Sequence, residues 1–137
     1  MGARSSAREA ALQMLFAADA APPLSVERLV ASYWRETPGD PEGRLYADEA
    51  VRGTLEALDE LDGLIRKASA HWRLERMTRV DRNVLRLGAW ELTRKRGEVP
   101  TPVVLDEAVE LAKRYGSDES GAFVNGILDR IAKNAGG

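Results

Sequence analysis

Apolar residues recur at steps of three and four along almost the whole chain, and alternating strand-like patterns are missing. Only helices match that period, so the expected class is all-α: a compact bundle of about six to seven helices in two packed halves. A chain of 137 residues fits one domain, read here as residues 1–137, with halves 1–75 and 76–137 meeting near Arg73 to Thr78. An apolar share of 44% suffices for a core. The longest apolar runs fall far short of the ~18 residues of a membrane span. Neither a secretion signal nor a cysteine is visible, so disulfides and thiolate chemistry are excluded and the cytoplasm is the expected compartment.

Helix boundaries follow from the turn residues. The first helix is expected from about Arg4 to Asp19, with Ala11, Leu12, Leu15 and Phe16 inward, stopping before Pro22-Pro23. Ser25 is a good N-cap for a short helix to about Glu36, and residues 37–43 carry the proline and glycine of a loop. One long helix should follow, its apolar stripe running through Leu45, Val51, Leu55, Leu58, Leu61, Leu64, Ile65 and Ala68. Thr78, with Asp81 three residues on, suits a capping box for a helix whose core is Val80, Val84, Leu87 and Ala89 or Leu92. Arg94-Lys95-Arg96-Gly97 closes it with cations near the negative helix end. After Pro100 and Pro102 comes a helix built on Leu105, Ala108, Val109, Ala112 and Tyr115, ended by Gly116. A last helix starts near Ser117 or Ser120 and buries Val124, Ile127, Leu128 and Ile131.

The net charge of −2 hides a segregation along the chain. Between Asp40 and Asp62 eight acids face two bases; between Arg66 and Arg96 ten bases face three acids. The first stretch should repel phosphate, and the second offers a basic surface or an ordinary solvated face.

Little in the chain suggests catalysis. His71 is the lone histidine and no Cys/His metal spacing exists, so no metal or other cofactor is expected. Ser117 and Ser120 lack a nearby base and read as capping residues. The glycines sit at helix ends and turns rather than in a phosphate loop, and the carboxylates have no evident cleft in which to shift their pKa values. The expectation is a binding protein, not an enzyme.

Two places suit nucleic acid. Arg4 and Arg8 are neighbours at the positive end of the first helix, where Ser5 and Ser6 add small donors. Phe123 lies roughly 100° around the last helix from Val124 and can present a ring on which an unpaired base stacks, or it can close the edge of a wide apolar face. Glu119 shares its side of the helix and would repel a phosphate backbone.

Three strings carry a resemblance: Val80-Asp81-Arg82-Asn83-Val84-Leu85-Arg86-Leu87-Gly88-Ala89-Trp90-Glu91-Leu92, then DEAVELAK from Asp106 to Lys113, then FVNGILD from Phe123 to Asp129. In this order, with the opening Arg4, Arg8, Glu9, Gln13 and Phe16, they resemble the NusB family of bacterial transcription antitermination factors over nearly the whole chain. The resemblance implies an all-helical, non-catalytic protein that pairs with the ribosomal protein NusE. The pair binds single-stranded boxA RNA, and with NusA, NusG and RNA polymerase it makes ribosomal RNA transcription resistant to termination. By position it implies RNA contacts from Arg4, Ser5, Arg8, Glu119 and Phe123, and a partner surface around Trp72, Glu75 and Asp81.

Departures from the family pattern are a sparser basic start, Phe16 for a common tyrosine and Asp106 for a common asparagine. NusB-like domains also precede methyltransferase domains that modify cytosine in ribosomal RNA; a chain of this length is expected to act without one. A third possibility is a helical interaction module that dimerises through the Leu45 to Ile65 region.

Overall fold

The computed structural model describes residues 2–39, 41–70 and 72–135. The readings that involve Asp40, His71 and the Gly136-Gly137 tail therefore lie partly outside the described residues. Seven α-helices are found among the described residues: α1 (Ala3–Ala20), α2 (Val26–Glu36), α3 (Pro41–Glu56), α4 (Leu58–Ala68), α5 (Arg79–Arg94), α6 (Thr101–Tyr115) and α7 (Ser120–Asn134). A single 3-10 turn, Leu74–Arg76, leads into α5.

Helix α5 is the axis of the molecule. Nearly every residue from Asp81 to Leu92 is buried, because α1, α3, α4, α6 and α7 all pack on it. Its start is set as expected, with Thr78 Oγ1 accepting from the backbone N–H of Asp81 at 3.1 Å. Ser25 caps α2 in the same way through Arg28. Gly97 takes φ 87°, the left-handed conformation that lets the chain leave α5 without a Cβ clash.

The long helix expected from Leu45 to Ala68 is two helices, α3 and α4, broken at Ala57. Val51, Leu61, Ile65 and Ala68 are buried as the stripe predicts, but Leu45 is 76% exposed, since α3 turns Tyr46, Ala47 and Ala50 inward instead. Phe16 likewise departs from its inward expectation: it lies at the surface under the Arg79 guanidinium, 5.3 Å from the ring centre. Helix α6 is rotated relative to its predicted stripe, burying Val104, Ala108, Leu111 and Ala112 and leaving Tyr115 exposed. Helix α7 buries Val124, Ile127, Leu128 and Ile131 as read, and its first turn is braced by Ser120 Oγ accepting from the Ser117 N–H at 3.0 Å.

The segregated charges meet in space. Glu60 on α4 takes two hydrogen bonds from Arg94, at 2.8 and 2.9 Å, and Glu49 on α3 takes Lys95 at 2.7 Å. Deeper in, Asp62 accepts from Arg86 at 2.8 and 3.0 Å. The acidic stretch therefore neutralises Arg86, Arg94 and Lys95 of the basic one across the α3, α4 and α5 seam, which leaves that part of it no free basic surface. Arg96, the third cation of the closing cluster, donates to the Ala135 carbonyl at 2.6 Å and ties α5 to the end of α7.

At the far end of α1, Asp19 accepts from Arg82 at 2.7 and 3.0 Å and from Asn83 at 2.9 Å, with Arg86 3.6 Å away. Burial pushes the Asp19 carboxyl up, yet these bonds and the two guanidinium charges outweigh it and hold the group below its ordinary 3.8. A depressed folded pKa contributes stability that is complete above the unfolded value and vanishes as the pH falls through the folded one. Thermal melts should accordingly show a flat stability from neutrality to about pH 5 and a fall below about pH 4, and an Asp19→Asn chain should lose that acid limb in part. An acid limb identical in both chains would refute the assignment.

Candidate nucleic-acid interface

Arg4 and Arg8 share a side of α1, as their spacing demands, and both stand over the ring of Tyr46 on α3, at 3.9 and 5.9 Å from its centre. That side points into the junction of α1, α3 and α5, so the two cations differ in access: Arg4 is exposed at the open end, whereas Arg8 is only 3% exposed. Arg8 Nε lies 3.0 Å from both carboxylate oxygens of Glu91, and its Nη1 donates to Glu107 on α6 at 3.0 Å. The same Glu107 oxygen accepts from Ser5. Glu91 is completed by the Tyr46 hydroxyl at 2.6 Å.

The chemistry of this cluster is that of a buried, hydrogen-bonded ion pair. Burial alone would lower the Arg8 pKa, but Glu91, Tyr46 and Glu107 more than compensate and raise it. Tyr46, buried and donating to a carboxylate, is pushed well above the usual phenol range and stays neutral. Arg8 is therefore not the open cation that its place at the helix start suggests; its donors are taken by acids 83 and 99 residues away in sequence. Tyr46, Glu91 and Glu107 escaped the sequence reading. Glu91 carried a usable signal, as a lone acid amid the apolar residues of a fully buried helix turn.

The second group gathers where α7 begins. Phe123 is half-buried against the core and meets Trp72 edge-on, with ring centres 5.6 Å apart and planes at 81°. Glu119, at the N-cap of α7, is exposed, and its carboxylate accepts from the Ser117 hydroxyl at 3.3 Å. Arg4 packs over Tyr46 whereas Phe123 packs against Trp72, so the two groups of the expected RNA surface rest on different partners.

Of the residues expected to face a partner, Trp72 is 61% exposed and Glu75 is exposed, paired with Arg66 at 3.1 Å. Hydrogen bonding, from its own backbone first and then from Arg66, holds the Glu75 carboxyl below its usual range. Asp81 is instead buried in the first turn of α5. Phe16, Leu12, Gln13, Val80 and Tyr115 line a further, mostly apolar groove of about 290 Å³.

Fold and site together define an all-helical protein with a charge-locked core and aromatic side chains at its surface, the make-up of a macromolecular binding scaffold. Comparison with known proteins gives the family. The NusB family model matches residues 5–133. The chain is 72% identical over 136 residues to the transcription antitermination protein NusB of Sorangium cellulosum, covering 99% of this chain and 96% of that one. It is 46% identical to the NusB of Myxococcus xanthus, with 96% of each chain covered. Among solved structures it is similar to NusB of T. maritima, at a TM-score of 0.86 and 42% identity over 95% of this chain and 90% of that one. It also matches a chain in the crystal structure of the antitermination factors NusB and NusE in complex with dsRNA, at a TM-score of 0.86 and 29% identity over 96% and 97% of the two chains. The chain belongs to the NusB family.

Proposed function

We propose that this protein is a transcription antitermination factor that binds the single-stranded boxA element of nascent RNA together with NusE. It then joins NusA, NusG and RNA polymerase in the cytoplasm to support ribosomal RNA transcription. Its role is binding and assembly rather than catalysis. The observation that carries the reading is the match to the NusB family from residue 5 to 133, in a fold shared with a chain of the NusB and NusE complex with dsRNA. No described helix is long and apolar enough to cross a membrane, in keeping with that setting.

The structure adds a physical reason for a partner. Arg82, Arg86, Arg94 and Lys95 are engaged by carboxylates of this chain, so these four are less free to neutralise phosphate, and a basic partner would extend the footprint. On this reading Arg4, Ser5, Phe123 and Glu119 border the RNA, and Arg8 acts from behind by fixing the start of α1. NusE should tighten boxA binding by at least about tenfold over this chain alone, measured by fluorescence anisotropy at fixed salt. Unchanged affinity with and without NusE would count against the proposal.

Glu119 supplies a second check. Its exposed carboxylate opposes an approaching phosphate, so Glu119→Gln should raise RNA affinity by about two- to fivefold at low salt and less at high salt. A lower affinity at the same ionic strength would contradict its placement beside RNA. Self-association is a second reading, favoured by the exposure of Leu45 on α3; light scattering with and without boxA RNA separates the two.

A further inference from the structure

Trp72 is the most exposed of the three tryptophans: Trp90 is buried and Trp34 is held half-buried, its indole N–H donating to Asp48 at 2.7 Å. An indole with 61% of its surface in water is costly to hydration unless something uses it. Its backbone is held firmly. The Trp72 N–H donates to the Ser69 carbonyl at 2.7 Å, and the Ser69 hydroxyl donates to the Ile65 and Trp72 carbonyls at 2.7 and 3.2 Å. Phe123, set edge-on, braces one side of the indole.

Around this ring lies a groove of about 500 Å³ lined by Arg66, Ser69, Ala70, Trp72, Arg73, Leu74 and Glu75. Its guanidinium groups outnumber its carboxylates. Arg66 and Arg73 share the single Glu75, the latter at 4.0 Å. Arg130 of α7 reaches the same segment and donates at 2.8 Å to the Ala68 carbonyl, a neutral partner. Glu119 lies one turn before Phe123 on α7. A flat exposed ring beside surplus guanidinium groups is the arrangement by which proteins hold unpaired nucleotides: the base stacks and the cations take the backbone.

We propose that Trp72 is the base-stacking platform of the RNA site, with Arg66 and Arg73 holding the adjoining phosphate and Phe123 acting beneath it as a positioning residue. The proposal rests on the RNA-binding reading and deepens it. It also reassigns Trp72 from a protein-facing to an RNA-facing surface.

The test uses the full chain with equimolar NusE, titrated with single-stranded boxA RNA while affinity and tryptophan emission are followed together. Wild type should show emission quenched on binding. Trp72→Phe, which keeps a ring, should lose most of the quenching and stay within about threefold of wild-type affinity; Trp72→Ala should bind about tenfold more weakly. Trp34→Phe should retain the quenching. Should the alanine chain fold poorly, Arg73→Gln reads the same site, lowering the slope of log K against log salt by about 0.7.

Quenching that persists in Trp72→Phe, or wild-type affinity in Trp72→Ala, overturns the proposal while leaving the antitermination reading intact. So does protection of Trp72 from acrylamide by NusE without RNA, which would make this a protein interface. Failure of the wild-type pair to bind boxA at all overturns the antitermination reading and the stacking site with it.

Discussion

An Arg8→Ala chain is expected to lose about 3–5 kcal/mol of folding stability, the range for breaking one side of a buried ion pair. The reason is Glu91. It is 2% exposed and takes both of its strongest contacts from Arg8 and Tyr46. Without the guanidinium a carboxylate is left in the core with one phenol donor, a costly burial of an unpaired polar group. Against a total of about 5–15 kcal/mol the loss is large, and the melting temperature should drop by roughly 10 °C or more. Urea unfolding measures it directly. A loss below about 1 kcal/mol would show that the pair does not hold the fold. The double change Arg8→Met with Glu91→Leu should recover much of the deficit, because it removes both charges from the same space. RNA affinity should weaken in Arg8→Ala as well, through a loosened α1 rather than a lost phosphate contact.

Arg86→Ala is expected to cost about as much at the opposite end of α1. Arg86 joins three helices: it grips both oxygens of buried Asp62 on α4, donates to Asn83 Oδ1 at 3.2 Å on its own helix, and stands 3.6 Å from Asp19 on α1. Its removal strands Asp62, whereas Arg82 still serves Asp19. Arg86 lies five residues before Glu91 on α5, about 7.5 Å along the axis, and the Arg8–Glu91 and Arg86–Asp62 pairs share no partner, so their effects should largely add. The Arg8→Ala and Arg86→Ala combination should therefore exhaust most of the stability, read as loss of cooperative unfolding by circular dichroism. A double variant no worse than either single one would mean that the clusters are coupled.

Much of the fold was legible from residue spacing, and the exceptions share a physical cause. The helical period identified α1, α2, α5, α6 and α7 but ran α3 and α4 together, and Ser25, Thr78 and Gly97 marked ends because caps and left-handed turns are local chemistry. The break at Ala57 was hidden, since the apolar steps continue across it without a proline or glycine to mark the change of direction. Charge imbalance along the chain was visible, but not that Glu49, Glu60 and Asp62 would face Lys95, Arg94 and Arg86, which is a matter of packing. For the site, the kinship of Arg4 and Arg8 was readable as a helical neighbour relation, whereas the burial of Arg8 depended on acids from α5 and α6. Phe123 was ambiguous because its face is wide, and its edge contact with Trp72 comes from another segment.

The clusters on α1 have opposite sign: a cation near its beginning and an anion near its end, each answered by α5 with the reverse. If α1 were to insert the other way round, Arg8 would approach Arg82 and Arg86 while Asp19 approached Glu91, and like charges would be forced together at both ends, in the buried core at one and in a part-buried seam at the other. The helix thus carries an electrostatic polarity label, and a misthreaded bundle of equal hydrophobic burial is rejected by it.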